Sequence, residues 1–172
     1  MRSKKPSSKK TSSSSAPVVG IIMGSQSDLP TMQAAADALQ ELGISYEMSV
    51  VSAHRTPHEV AKYAENARKK GIRVIIAGAG GAAHLPGMAA SYTELPVIGV
   101  PVALGPMQGQ DALYSIVQMP KGIPVATVAI GNAWNAGVLA AQMLGTSNPK
   151  ILDRIRQYKD EMRATVVRNS KI

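Results

Sequence analysis

Three short clusters hold the residues of this chain that are best suited to chemistry. The first is Ser52-Ala53-His54-Arg55. An imidazole titrates close to neutral pH, so His54 suits proton transfer. The planar guanidinium of Arg55 can grip a phosphate through two donors at once. A loop histidine that is merely satisfied, beside a surface arginine, is the plainer alternative. The second cluster is Gly24-Ser25-Gln26-Ser27-Asp28, where an apolar run gives way to a helical pattern. Free N–H groups at a helix start attract phosphate, and Ser25 and Ser27 add hydroxyl donors. Asp28 repels phosphate and is better suited to accept from ribose hydroxyls. Alternatively, Ser27 or Asp28 is a simple helix cap. The Gly-Lys-Ser/Thr ending of a P-loop is missing. The third cluster, residues 77–88 (AGAGGAAHLPGM), carries four glycines and no bulky side chain before His84. Backbone there can approach a ligand closely and lie flat against a planar heterocycle. It lacks a dinucleotide GxGxxG register, and a tight turn with a core-facing His84 is the competing reading. His58, in the first turn of a helical pattern, reads as solvated.

These clusters need a scaffold, and the rest of the chain describes one. Residues 18–23 form a continuous apolar run, as expected of a strand buried on both faces. Met32, Ala35, Leu39 and Leu42 mark one helical face that stops at Gly43. Further strands are expected at 45–51, 74–77, 97–100 and 125–130. Thr56-Pro57-His58-Glu59 reads as a capping box with proline at the first helical position, and its helix carries Val60, Ala64 and Ala67 and stops at Gly71. Helical patterns also run through Leu113, Ile116 and Val117, and through Val138, Leu139 and Met143. Alternation of this kind predicts parallel strands joined by right-handed crossovers. The expected fold is an α/β/α three-layer sandwich around a doubly wound, flavodoxin-like parallel sheet. Ligands of such sheets bind at the carboxyl ends of the strands, and all three clusters follow strands. Residues 145–149 read as a linker. Beyond it Ile151, Ile155, Tyr158, Met162 and Val166 form an apolar stripe on an extra C-terminal helix.

Composition removes several function classes. The 172 residues include no Cys and no Phe, so disulfides, thiolate nucleophiles and Cys-based zinc sites are excluded. No apolar run is long enough to span a bilayer as a helix, and no membrane partner is expected. The formal charge of +8 is concentrated at the ends. Residues 1–16 hold five basic residues and no acid, residues 150–172 seven basic against three acidic, and residues 17–149 seven against eight. No nucleic-acid partner is expected, because the folded body lacks a basic excess. The expected organisation is a disordered Ser/Lys-rich tail over 1–16, a catalytic domain over 17–149, and the C-terminal helix over 150–172 packing on its own domain or on a neighbouring subunit.

GSQSD, VVSAHRTP and IIAGAGGAAHLPGM, followed by GVPV and LYSIVQMPKGIPVAT, resemble the bacterial-type N5-carboxyaminoimidazole ribonucleotide mutase family over roughly residues 17–143. The resemblance implies a cytoplasmic isomerase of purine synthesis, assembled as a homo-octamer with sites at subunit junctions, and working without cofactor or metal. Ser25, Ser27 and Asp28 match its nucleotide-binding loop, and Ser52 is grouped with them. Arg55 matches a phosphate-contacting arginine and His54 the catalytic histidine. Gly80, Gly81 and His84 match the loop lining the base and carboxylate pocket, with His84 counted beside His54 as catalytic. The implied reaction moves a carboxyl group from nitrogen to carbon by release and recapture of CO2, with His54 carrying the protons. Ala103-Leu104, where relatives often have Gln-Ser, the Gly105-Pro106 that follows, and a shortened stretch at 131–135 depart from the pattern. Rival readings are a carboxylase using free CO2, whose branch tends to carry SAHK, a non-catalytic nucleotide-binding module, and nucleic-acid binding through the tail alone.

Overall fold

The computed structural model describes residues 16–170. The tail expected over 1–16 therefore lies, except for Ala16, outside the described residues. Five strands alternate with six helices: β1 (Val19–Met23), α1 (Leu29–Glu41), β2 (Tyr46–Val50), α2 (Pro57–Ala67), β3 (Val74–Gly80), α3 (Leu85–Ser91), β4 (Val97–Val102), α4 (Gln110–Val117), β5 (Ala126–Thr127), α5 (Ala133–Gly145) and α6 (Pro149–Asn169). All strand pairs are parallel, in the order β2-β1-β3-β4-β5. This is the doubly wound, flavodoxin-like sandwich expected from the alternation.

The sheet buries both faces. Ile21, Ile76, Ile98 and Val100 join Met32, Leu39, Ala136 and Ala140 on the face covered by α1 and α5. Ile22, Ile75 and Val97 join Val60, Leu85, Ala89 and Ile116 on the face covered by α2, α3 and α4. Each such Ile or Leu contributes about 1.5–3 kcal/mol by leaving water. With no Phe available, α1 and α5 meet through Ala35, Ala38, Ala136, Gly137 and Ala140, all buried. A Cβ at Gly137 would stand 2.7 Å from the Ala35 carbonyl oxygen and 2.8 Å from the Ala38 Cβ, so glycine is what allows this approach.

Several expected details differ. β3 runs on to Gly80, because Gly78 and Gly80 take part in the pairing with β4 while leaving room for Met32 and Leu104 on the sheet surface. The stretch expected to be loop contains α3: Pro86 sits in its first turn, where the missing N–H costs nothing. β5 is only two residues long. Beyond it the chain stays near β4 through single bonds, Val128 N–H to Gly99 O at 3.1 Å and Gly131 N–H to Pro101 O at 2.8 Å. The capping box at 56–59 does not form. Pro57 does open α2, but Thr56 Oγ1 turns back, accepting from Ser52 N–H at 3.1 Å and donating to Ser52 O at 3.0 Å. The capping box lies instead at Ser25 and Asp28, around a 3-10 turn at Gln26–Asp28. The linker before α6 falls where expected, between Gly145 and Pro149.

Candidate functional site

In a sheet of order 2-1-3-4-5 the crossovers leave β1 toward opposite sides, which opens a crevice between the carboxyl ends of β1 and β3. The turn after β1, residues 24–28, and the stretch after β3, residues 81–84, flank that crevice. The turn after β2, residues 51–56, closes it from a third side. Together they line a cleft of about 350 Å³ that includes Ser25, Ser27, Asp28, Ser52, His54, Arg55, Gly80 and His84. Eight of the nine residues singled out in the sequence thus share one cavity. Gly81 does not line it. Its φ of +64° makes the turn out of β3, a conformation that glycine adopts freely.

The two histidines, thirty positions apart in sequence, meet edge to face. His54 Nε2 and His84 Nδ1 are 2.8 Å apart, one donating and the other accepting. Both rings are exposed toward the cleft mouth. His84 is therefore not core-facing. Its neighbour Leu85 takes the core position, only 1% exposed.

Arg55 is held in place by its own chain. Its Nη2 donates to Gly24 O at 2.9 Å, and its Nε and backbone N–H donate to Ser52 Oγ at 3.1 and 3.2 Å. Ser52, anchored in turn by Thr56, thus orients Arg55 rather than offering a free donor. The other guanidinium N–H groups have no partner among the described residues.

Asp28 is 2% exposed, and one of its oxygens accepts from Ser25 N–H at 3.0 Å. The other, Oδ1, is buried with no hydrogen-bond partner among the described residues. Burial pushes this carboxyl above its ordinary value, while the N–H groups of Ser25 and Gly24 and the charge of Arg55 pull the other way and do not cancel the effect. Asp28 stands at the start of α1 but makes no side-chain cap bond there; its carboxylate instead completes the capping box opened by Ser25, while the residue also lines the cleft. Ser27 is exposed, its N–H reaching Ser25 Oγ at 3.4 Å. His58 is exposed and apart from the cleft.

The lining residues that were not singled out are mostly small or apolar: Gly24, Ala53, Ala79, Ala82, Leu85 and Leu104. Leu104 follows β4, as the strand-end rule marks, and it belongs to the Ala103-Leu104 stretch that departs from the family pattern, which here borders the cleft. Among the described residues no three His, Asp or Glu side chains are grouped to hold a metal, and no helix is long and apolar enough to cross a membrane.

A sequence model of the AIR carboxylase family matches residues 18–165. A relative from Thermotoga maritima, named N5-carboxyaminoimidazole ribonucleotide mutase, is 60% identical over 155 residues, covering 90% of this chain and 91% of that protein. One of the same name from Synechocystis is 58% identical over 154 residues, covering 90% and 88%. The crystal structure of Treponema denticola PurE superposes with a TM-score of 0.82 at 28% identity, covering 89% of this chain and 96% of that one.

Proposed function

The chain belongs to the AIR carboxylase family, and from that premise we propose that it is an N5-carboxyaminoimidazole ribonucleotide mutase, an isomerase of purine biosynthesis. The names carried by relatives near 60% identity support the activity. The observation that carries the assignment of roles is the convergence of His54, His84, Arg55 and the Ser25–Asp28 turn on one cleft at the sheet's switch point.

The substrate bears a carbamate on its exocyclic nitrogen. Its 5′-phosphate takes the unpartnered donors of Arg55 and the hydroxyls of Ser25 and Ser27. Its ribose lies toward Asp28, and its ring lies against the small residues of 79–82. His54 gives a proton to the nitrogen as the N–C bond breaks and the electron pair returns to nitrogen, releasing CO2. The enamine-like ring carbon C4 then attacks the CO2 carbon. The proton left on C4 passes back to His54, which restores both the aromatic ring and the catalyst. His84 holds the imidazole of His54 at a fixed angle and accepts or supplies the shared proton through their 2.8 Å contact. Holding CO2 next to C4 makes recombination effectively unimolecular. No oxidant, nucleotide triphosphate or metal enters this balance.

The cleft of a single chain is open at its mouth, where His54, Arg55, Ala82 and His84 are all exposed. We assign its closure to a neighbouring copy within a homo-octamer in the cytoplasm, with the far half of α6 as one of the joining surfaces.

The deciding experiment gives the purified protein the synthetic carbamate ribotide without ATP and follows the C4-carboxylated product. Conversion that outpaces the reaction of aminoimidazole ribotide with bicarbonate supports the mutase. The opposite order assigns the chain to the free-CO2 carboxylases, and binding without conversion leaves a nucleotide-binding module.

A further inference from the structure

Thr56 does not line the cleft, yet its hydroxyl ties the turn that carries His54 and Arg55. We propose that Thr56 is a positioning residue for the substrate's phosphate: acting through Ser52, it holds the Arg55 guanidinium where the phosphate meets it. The inference rests on the mutase reading for the identity of the ligand, and adds to it a residue that touches no substrate.

A threonine at a helix start ordinarily gives its hydroxyl to the free N–H groups of that helix. Thr56 does not: it stands at the N-cap of α2 and makes no side-chain cap bond. Its Oγ1 accepts from Ser52 N–H at 3.1 Å and donates to Ser52 O at 3.0 Å, and its own N–H reaches the same oxygen at 2.9 Å. Three bonds thus close residues 52–56 into one turn, with both backbone groups of Ser52 engaged by Thr56. Side-chain bonding of this local kind competes with the helix for the hydroxyl. α2 starts on backbone terms instead. Pro57 has no N–H to satisfy, and Glu59 N–H reaches Thr56 O at 3.0 Å.

The closed turn fixes Ser52, whose Oγ is the acceptor for both the backbone N–H and the Nε of Arg55. Among the described residues Arg55 makes no ion pair. Neutral oxygens, Ser52 Oγ and Gly24 O, hold its guanidinium, so its charge is left for an anion. A doubly negative phosphate gains most from a fork whose direction is already set, because less freedom is lost on binding. His54 lies in the same turn but has a second hold from another part of the chain, His84 Nδ1 at 2.8 Å. Loosening the turn should therefore fall first on Arg55, and on binding rather than on proton transfer.

The experiment compares the parent with Thr56→Val and Thr56→Ala, which lose the hydroxyl with and without the branched shape, and with Thr56→Ser, which keeps it. KM and kcat are read on the carbamate ribotide. Calorimetry reads Kd for aminoimidazole ribotide, which needs no turnover. Thr56→Val and Thr56→Ala should raise KM and Kd by about tenfold with kcat within about threefold, and Thr56→Ser should stay within about twofold of the parent. The melting temperature of Thr56→Val should stay near the parent's, since α2 loses no side-chain cap bond. In a Ser52→Ala background, where the link to Arg55 is already cut, Thr56→Val should add less than about twofold. Unchanged KM and Kd in the folded variants overturn the proposal. So do a loss confined to kcat, an equal loss in both backgrounds, and a loss that Thr56→Ser shares. A parent that binds the ribotide without converting the carbamate refutes the mutase reading and leaves the Kd comparison to decide this one. A parent that does neither overturns both.

Discussion

His54 and His84 lie 2.8 Å apart, and mutation tests the division of work proposed for them. His54→Asn should lower turnover by about 10²–10⁴-fold while calorimetry still detects ribotide binding, because the phosphate and ribose contacts proposed for Arg55 and the Ser25–Asp28 turn do not involve it. His84→Ala should cost less, since His54 then loses its hydrogen-bonded partner but keeps its own place in the cleft. Asp28 gives a test independent of activity. Its folded carboxyl titrates above the ordinary 3.8, mainly because it is buried. A raised acid is penalised when ionised, so the penalty is full above the folded value and vanishes as protonation completes below 3.8. Parent stability relative to Asp28→Asn, which does not titrate, should therefore improve as pH is lowered from neutrality toward 4, whatever the offset between them at pH 7. Urea unfolding at several pH values measures it. His54, Arg55, Ser25 and Asp28 could be found in the sequence because their chemistry is rare and each follows a strand. The direct meeting of His54 with His84 could not, since it depends on where two turns thirty residues apart come to rest.

Among the elements, the contact of α1 with α5 is the most demanding, for backbone rather than flexible side chain lies under Gly137. Gly137→Ala should destabilise the fold by about 1–3 kcal/mol in urea or thermal unfolding, despite the better helix propensity of alanine, because the two helices must part. The strands were readable where burial on both faces leaves unbroken apolar runs, as in β1, and where glycine marks a stop, as at Gly43 and Gly71, both with positive φ. Legibility failed where one residue type serves two purposes. Gly78 and Gly80 look like loop residues yet belong to β3, since glycine both permits a turn and makes space for a neighbour. Pro86 and Gly87 look like turn chemistry yet open α3. Thr56 looks like a cap, but the Ser52 backbone competes successfully for its hydroxyl.

Across the whole molecule, charge and apolar surface are unevenly shared. Removing residues 1–16 takes away five cations. It should leave carbamate conversion unchanged and abolish any salt-sensitive nucleic-acid binding, as gel shift would report. α6 begins as part of the body: Ile151 and Ile155 are buried, and Tyr158 accepts from Trp134 Nε1 at 2.8 Å. Met162 and Val166 continue the same stripe but are 50% and 69% exposed. Met162→Asp with Val166→Asp should shift sedimentation toward smaller species and reduce activity, without lowering the melting temperature of the dissociated chain. The helix has 21 residues, about 31 Å of rise at 1.5 Å each, and from residue 159 onward every position is exposed. In a lone subunit only the ladder's own bonds guard those later amides, so they should trade hydrogen for deuterium far faster than the turns anchored by Ile151 and Ile155. A protection boundary near residue 158 that fades as protein concentration rises would turn this one helix into a gauge of assembly, readable with no substrate present.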